Sequence, residues 1–434
     1  MLIIEFAVVL MSIYLGARLG GIGIGFAGGM GVLALTLVLG LEPGTVPVDV
    51  ILIIMSVIAA IASMQVAGGL HYLVEIAERI LRRNPKQITF WAPVVTYVMT
   101  LLAGTGHTAF STLPVIAEVS KDAGVRPSRP LSIAVIASQI AITASPISAA
   151  VVLLSGMLET SHSVDYLQLL AIAIPSTFLA CMVGAFVAQR LGLELADDPI
   201  YQQRLKDGLV TTDSADKKEL PVHAKRSVWI FLASIVAVVA YATAISPLVG
   251  LIEDPSLPRN EAIMVFMLSA ATLIVMNCKI NTAEIVNAAT FKSGMSACVC
   301  VLGVAWLGDT FVSAHIDEIK ELAGTILQQY SWMLAIILFF ASMLLYSQAA
   351  TTAALMPTAI ALGVSPEAAI ASFAAVSALF VLPTYPTLIA AVEMDDTGST
   401  RIGQYVFNHP FMIPGLVTIT ASVCLGFLFA GVIL

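Results

Sequence analysis

Four short stretches hold the side chains able to do chemistry in this otherwise apolar chain. The first is "GTGHT", with Gly104, Thr105, Gly106, His107 and Thr108. The second is "SPIS", with Ser145, Pro146 and Ser148. The third is "SQAATT", with Ser347, Gln348, Thr351 and Thr352, and the fourth is "TYPT", with Thr384, Tyr385, Pro386 and Thr387. Their hydroxyls, amide and imidazole are hydrogen-bond donors, and the glycines let a ligand approach backbone amides without meeting a Cβ. None of the four holds a carboxylate, which a cation site would be expected to use. The pattern therefore points to a small anion, held by donors and by the positive ends of the helices that follow Pro146 and Pro386. Two such sets facing each other suit a ligand with two carboxylates.

The elements that must position these residues are transmembrane. Of 434 residues, 59% are hydrophobic and only 11% charged, more apolar side chain than a soluble fold can keep dry. Apolar runs of about 17 to 25 residues recur from end to end, and β-barrel alternation is absent, so an all-α polytopic membrane protein is expected. The N-terminal run has Glu5 ahead of its apolar part and no basic segment, so it reads as a first span rather than a signal peptide. The five cysteines, Cys181, Cys278, Cys298, Cys300 and Cys424, show no CxxC pair and read as small packing residues.

Two halves repeat one order of pieces. In residues 1–188, spans are expected near 2–17, 22–41, 48–67, 131–157 and 166–188, with an amphipathic stretch over 70–83 and a polar-interrupted segment near 88–119. Residues 189–226 form a charged linker. In residues 227–434, spans are expected near 228–248, 261–277, 288–308, 367–393 and 410–434, with an amphipathic stretch over 315–328 and an interrupted segment near 332–362. Trp91, "GTGHTAFSTLP", "GVRP" and "SPISAAV" parallel Trp332, "SQAATTAALMP", "GVSP" and "YPTLIAAV" at matching spacing, as in an internal duplication.

If each interrupted segment dips in and returns on one side, each half crosses five times and the second is inverted. Eighteen of the twenty Lys and Arg residues then fall on the inner side, with only Arg259 and Lys320 outside, as the positive-inside rule asks. The termini would face out and the linker in. Irregular backbone at membrane depth is tolerated only where protein buries it or a cavity is lined, and paired broken helices of inverted repeats mark the substrate site of secondary transporters.

Other features have plainer readings. His107 could bind a carboxylate, couple a proton or fix the tip as a neutral donor. Glu118, Glu393 and Asp309 lie near helix ends, where acids can join transport or simply pair. "GGIGIGFAGG" mimics a dinucleotide fingerprint, but no strand precedes it, and tight packing through small residues explains it better. Arg126 and Arg129 are accounted for by topology, with attraction of anions the alternative. Tyr385 could line a cavity or pack. An intramembrane enzyme would need a nucleophile with its base, or metal ligands, at depth. Yet His71, His107, His162, His223, His315 and His409 are scattered. No cofactor, metal or nucleic-acid partner is expected.

Longer blocks carry a resemblance: "ARLGGIGIGFAGGMGV", "MQVAGGLHYLV", "AGTGHT", "QIAITASPISAAVV", "LADDPIYQQRL", "FKSGMSACVCVLGVAWLGDTF", "YSQAAT", "LPTYPT", "MDDTGSTRIG" and "FNHPFMIPG". Along its whole length the chain resembles the bacterial anaerobic C4-dicarboxylate transporters, the Dcu family. The resemblance implies exchange or uptake of fumarate, succinate, malate and aspartate across a bacterial inner membrane. It also implies inverted repeats with re-entrant hairpins in a homodimer that moves by an elevator mechanism. The match is closer to the aspartate and fumarate branch, whereas His107 is more like the fumarate and succinate exchanger branch. The Ser-Asn-Thr tips of sodium-coupled relatives are not present here. Antiport is the expectation; proton- or sodium-coupled uptake of aspartate or another di- or tricarboxylate, or an anion channel, are the alternatives.

Overall fold

The computed structural model describes residues 2–19, 22–46, 48–210, 222–245, 251–252, 254–315, 330–345, 347–382, 385–403 and 407–434, and the backbone alone at Ala17, Val50, His107, Ser293 and Leu344. Among them every regular element is helical. Apart from His315, the amphipathic stretch expected over 315–328 lies outside the described residues, as does Thr384.

The helices are α1 (Leu2–Leu19), α2 (Gly23–Leu33, running on as a π turn to Val38), α3 (Val48–Val66), α4 (Gly69–Arg83), α5 (Ile88–Ala103), α6 (Ala109–Asp122), α7 (Ser128–Ile140), α8 (Ala149–His162), α9 (Tyr166–Ala188) and α10 (Pro199–Lys206). They continue as α11 (Ala224–Ile245), α12 (Arg259–Cys278), α13 (Thr282–Ile285), α14 (Ala289–Ala314), α15 (Met333–Leu345), α16 (Gln348–Ala361), α17 (Pro366–Phe373), α18 (Pro386–Met394) and α19 (Met412–Ile433). Among the described residues α9, α11, α12, α14 and α19 are each long and apolar enough to cross a bilayer. Exposed Leu37, Met276, Leu428 and Val432 give the surface the apolar character that lipid contact requires.

α4 is the amphipathic stretch, bent 71° from α3. Leu70, Ala77 and Leu81 are buried, while Glu75–Arg79 and Glu78–Arg82 pair one turn apart outside. Arg82, just ahead of α5, also reaches Glu118 near the end of α6 at 2.8 Å. α6 thus returns to the end where α5 starts, and residues 88–122 form a helical hairpin with residues 104–108 at its tip.

Glycine sets how closely α2 and α14 approach. A Cβ on Gly25 would stand 2.1 Å from the carbonyl oxygen of Val299, and one on Gly303 would stand 2.0 Å from that of Gly25. The fingerprint-like run is a helix-packing seam.

The largest apolar cluster is built mainly from α5–α9 and α15–α19 and also takes in residues of α3, α4, α11 and α14. A second cluster joins α3, α11 and α12, and a third joins α1, α2 and the end of α14. Both spans expected over a proline are interrupted. α7 passes through a 3₁₀ turn (Ala141–Thr143) into non-helical Ala144–Ser148, and α8 begins after it. α17 passes into a 3₁₀ run (Ala374–Phe380) with non-helical backbone at Ser377 and Ala378, and α18 starts at Pro386. Pro386 occupies the first helical position, where its missing N–H costs nothing.

Candidate functional site

The first tip is built by a left-handed turn. Gly104 (φ +65°) ends α5, its N–H bonded to the Thr100 carbonyl at 2.8 Å, and a 3₁₀ turn over Gly106–Thr108 leads into α6. Only glycine takes that backbone without strain, and the space around it is tight. A Cβ on Gly104 would lie 3.0 Å from Ile147 Cγ1, and one on Gly106 would lie 3.3 Å from the Ser138 carbonyl oxygen. The tip therefore sits against the end of α7 and its break. Thr108 pairs with Thr100 at 3.0 Å between hydroxyl oxygens.

The serines of the first break spend their hydroxyl protons on the backbone. Ser145 donates to the Leu101 carbonyl at 2.6 Å, tying the break to α5. Ser148 donates to the Ile142 carbonyl at 2.6 Å and accepts from the Val151 amide at 3.2 Å as the N-cap of α8. The Pro146 carbonyl accepts from the Tyr166 hydroxyl. Ser145 and Ser148 thus fix the break, with their lone pairs remaining for other donors. Gly104 and Thr105 border a cavity of about 130 Å³ closed by Ile54, Ile58, Ala149 and Thr290. The first residues of α8 therefore face this space, with the positive end of the helix.

In the second tip, Ser347 caps α16 by accepting from the Ala350 amide at 3.1 Å. Thr351 and Thr352, both fully buried, donate to the carbonyls of Ser347 and Gln348 at 2.8 Å each. Ser342 on α15 holds the second break open, donating to the Ala375 carbonyl at 3.1 Å and accepting from the Ala378 amide at 3.2 Å. Tyr385 precedes α18 as a half-buried residue without capping it.

Sequence reasoning missed the residue where these parts meet. Gln139, on the last turn of α7, is 1% exposed. Its carbonyl accepts from Gln348 Nε2 of the second tip at 3.1 Å and from the Ser377 hydroxyl of the second break at 3.3 Å. Its side-chain amide lies 3.4 Å from the Thr387 hydroxyl on α18. The remaining amide oxygen is buried with no partner. Oxygen and nitrogen of an amide are assigned by their bonds, so the reverse assignment would let Thr387 donate to Oε1 and leave the NH₂ unpaired. In either case a buried polar atom awaits a partner, and in the reversed form that partner is an acceptor such as a carboxylate. The signal lay in "QIAITASP", where a lone amide precedes a proline break in an apolar helix.

The acids weighed from sequence stand elsewhere. Glu118 pairs with Arg82, Asp309 accepts from the Thr45 amide at 2.5 Å and so anchors the loop after α2, and Glu393 is exposed. Among the described residues no group of three or more His, Cys, Asp or Glu could hold a metal. The cysteines are free thiols, four of them buried in the packing. Of His107 the structure gives the backbone position alone, on the 3₁₀ turn of the first tip. A larger cavity, about 300 Å³, shares no residue with the tips and is lined by Arg126, Arg129 and Arg401.

The family model described as "Anaerobic c4-dicarboxylate membrane transporter" matches residues 1–434. The C4-dicarboxylate transporter DcuA of Wolinella succinogenes is 66% identical over the full length of both chains. DcuA of Escherichia coli K12 is 60% identical over 98% of each chain, and an E. coli anaerobic C4-dicarboxylate transporter DcuB is 40% identical over 98% of each. Across the chain the similarity is thus greater to DcuA, notwithstanding His107. Two solved structures share the fold: the Alcanivorax borkumensis YdaH transporter (TM-score 0.60, 14% identity, 94% of this chain and 87% of that one) and Neisseria gonorrhoeae MtrF (TM-score 0.60, 15% identity, 92% and 84%). On this match the chain belongs to the anaerobic C4-dicarboxylate membrane transporter family.

Proposed function

We propose that the protein is a secondary transporter that exchanges C4-dicarboxylates such as fumarate, succinate, malate and aspartate across a bacterial inner membrane. The relatives are named as transporters, and the chain is a transporter rather than an enzyme. The observation that carries the site is the convergence at Gln139 of the second tip, both breaks and α18. The first tip is seated on the same helix end and break. One carboxylate is held by the positive ends of α8 and α16, with Thr105 and His107 beside it, and the other by the Gln139 amide and Thr387.

Residues 1–188 and 227–434 act as inverted repeats joined by a cytoplasmic linker, with the termini periplasmic and each hairpin re-entrant. Supporting this orientation, Lys121, Arg126, Arg204 and Arg401 gather at one end through Asp396 and Asp198. The large body of α5–α9 and α15–α19 moves as an elevator against a scaffold of α1–α3, α11, α12 and α14 in a homodimer. Because donors and dipoles rather than a bound cation offset the substrate charge, the carrier crosses only when loaded, which is the behaviour of an antiporter. One observation favours proton coupling instead: the buried Glu5 carboxylate and His315 ring lie 2.7 Å apart between α1 and the end of α14. That pair adjoins the third cluster, where the His315 ring lies 5.0 Å from that of Phe311.

Counterflow tests the reading. Proteoliposomes loaded with succinate should accumulate labelled fumarate or aspartate but not citrate, without ion gradients. Uptake into empty vesicles driven by a proton or sodium gradient would replace exchange with ion coupling.

A further inference from the structure

The large cavity away from the tips lies level with the ends of two spans, bordered by Ala188 and Leu191 at the end of α9 and Ile413 at the start of α19. Three guanidiniums line it, and two are at least nine-tenths buried: Arg126 at 7% and Arg129 at 9% exposure.

Their partners use only part of what they offer. Arg126 donates through Nε to Ser128 at 2.9 Å and through Nη1 to the Leu193 carbonyl at 3.2 Å and to Asp198 at 2.6 Å. Arg129 donates through Nε to the Leu191 carbonyl at 2.9 Å and through Nη2 to the Gly192 carbonyl and Glu194, both at 3.0 Å. One terminal nitrogen of each remains for a ligand, since a guanidinium has five donors. Half-exposed Arg401 donates to the Gly398 carbonyl at 3.0 Å and lies 3.7 Å from Asp198. Three guanidiniums thus face two carboxylates, one positive charge in excess. The neighbouring buried Asp395 keeps its charge but turns its oxygens inward, accepting from Thr397, Ser399 and Thr400. His409, 7% exposed, also lines the cavity, with Nε2 3.2 Å from the Val381 carbonyl and Nδ1 buried without a partner. With Nε2 donating, Nδ1 is an acceptor suited to a hydroxyl.

We infer that this cavity, remote from the transport site, binds a phosphate ester carrying a hydroxyl. The phosphate lies between Arg126, Arg129 and Arg401, and the hydroxyl points to His409. Guanidiniums are the side chains best matched to phosphate oxygens, in a diester or a monoester. The ligand is either the glycerol-phosphate headgroup of an anionic lipid or free glycerol phosphate. The position between two span ends, beside half-exposed Ile413, is where a headgroup would reach.

Full-length protein in detergent micelles would be titrated with phosphatidylglycerol, phosphatidylcholine and, at constant ionic strength, sn-glycerol 3-phosphate, with binding followed by thermal unfolding and native mass spectrometry. Phosphatidylglycerol should bind and stabilise while phosphatidylcholine does not; a matching response to free glycerol phosphate would assign the site to the soluble ester. Arg401→Gln should weaken binding about two- to fivefold. Glu194→Gln, at an exposed carboxylate whose removal raises the cavity's charge, should tighten it by a similar factor. Equal responses to both lipids with none to glycerol phosphate, or affinities unmoved by both variants, would overturn the assignment.

Discussion

The side-chain amide of Gln348, at the start of α16, donates to the backbone carbonyl of Gln139, at the end of α7, over 3.1 Å. The two lie 209 residues apart, one in each half of the chain. That single bond ties the second hairpin tip to the first broken helix. With the amide of Gln139 engaged by Thr387 and one of its polar atoms unpaired, it places an unspent donor or acceptor where both halves meet.

Gln139→Leu keeps the bulk and removes the amide. Hydrogen bonds to charged groups are worth about 1.5–3 kcal/mol, so the apparent affinity for succinate should fall about ten- to a hundredfold. Gln139→Glu should be worse, because it sets a carboxylate against the substrate's own. Both are checked by counterflow at matched amounts of folded protein, and wild-type kinetics for Gln139→Leu would remove the residue from the site.

Thr105→Val and Thr387→Val each exchange a hydroxyl for a methyl at nearly constant shape. Each should raise the substrate concentration for half-maximal uptake several-fold; the unfolding temperature should move little for Thr105→Val and fall for Thr387→Val, which also leaves the buried Gln139 amide without its partner. Unchanged uptake with both substitutions together would show that these hydroxyls do not touch substrate.

Gly104→Ala forces a side chain into left-handed backbone and against Ile147. The strain alone costs about 1–2 kcal/mol. Reduced uptake together with a lower unfolding temperature is expected.

The α2–α14 seam can be tested by contrast between a glycine inside it and one outside it. Gly303→Ala drives a Cβ into the Gly25 backbone and should cost about 2 kcal/mol or more. Gly29→Ala meets nothing within 4 Å and should be neutral or stabilising by up to about 1 kcal/mol. Thermal unfolding of the two variants in detergent decides it.

Asp198 closes the ion-pair network of Arg126 and Arg401. Burial disfavours its charge, but the Ile200 amide, Arg126 and Arg401 outweigh that, holding its pKa below the ordinary carboxylate range. Asp198→Asn leaves Arg126 without its carboxylate and should destabilise by about 3 kcal/mol. Because the folded-state pKa is depressed, the contribution is complete above about pH 4 and is lost as pH falls through the lower folded value. The gap between wild type and Asp198→Asn should therefore be constant at neutral pH and close in acid.

Much of this was legible in the sequence because it rests on local rules. Proline at 146 and 386 and glycine at 104 act on their own backbone, so the breaks and the first tip fall where the residues dictate. The α4 face shows as helical periodicity. What was not legible depends on distant pairing. Ser145, Ser148, Thr351 and Thr352 looked like ligands by type, yet their hydroxyl protons go to backbone carbonyls that folding alone brings near or leaves accessible. Gln139 looked like one amide in an apolar run, and its importance arises from partners at 348, 377 and 387.

The most direct measurement is cryo-electron microscopy of the protein in nanodiscs with saturating succinate. The expected result is ligand density within about 3 Å of the Gln139 side-chain amide, flanked by residues 104–108 and the start of α16. Density absent there while succinate is shown to bind, or residues 104–108 and 347–352 separated by a continuous helix with no ligand between them, would contradict it.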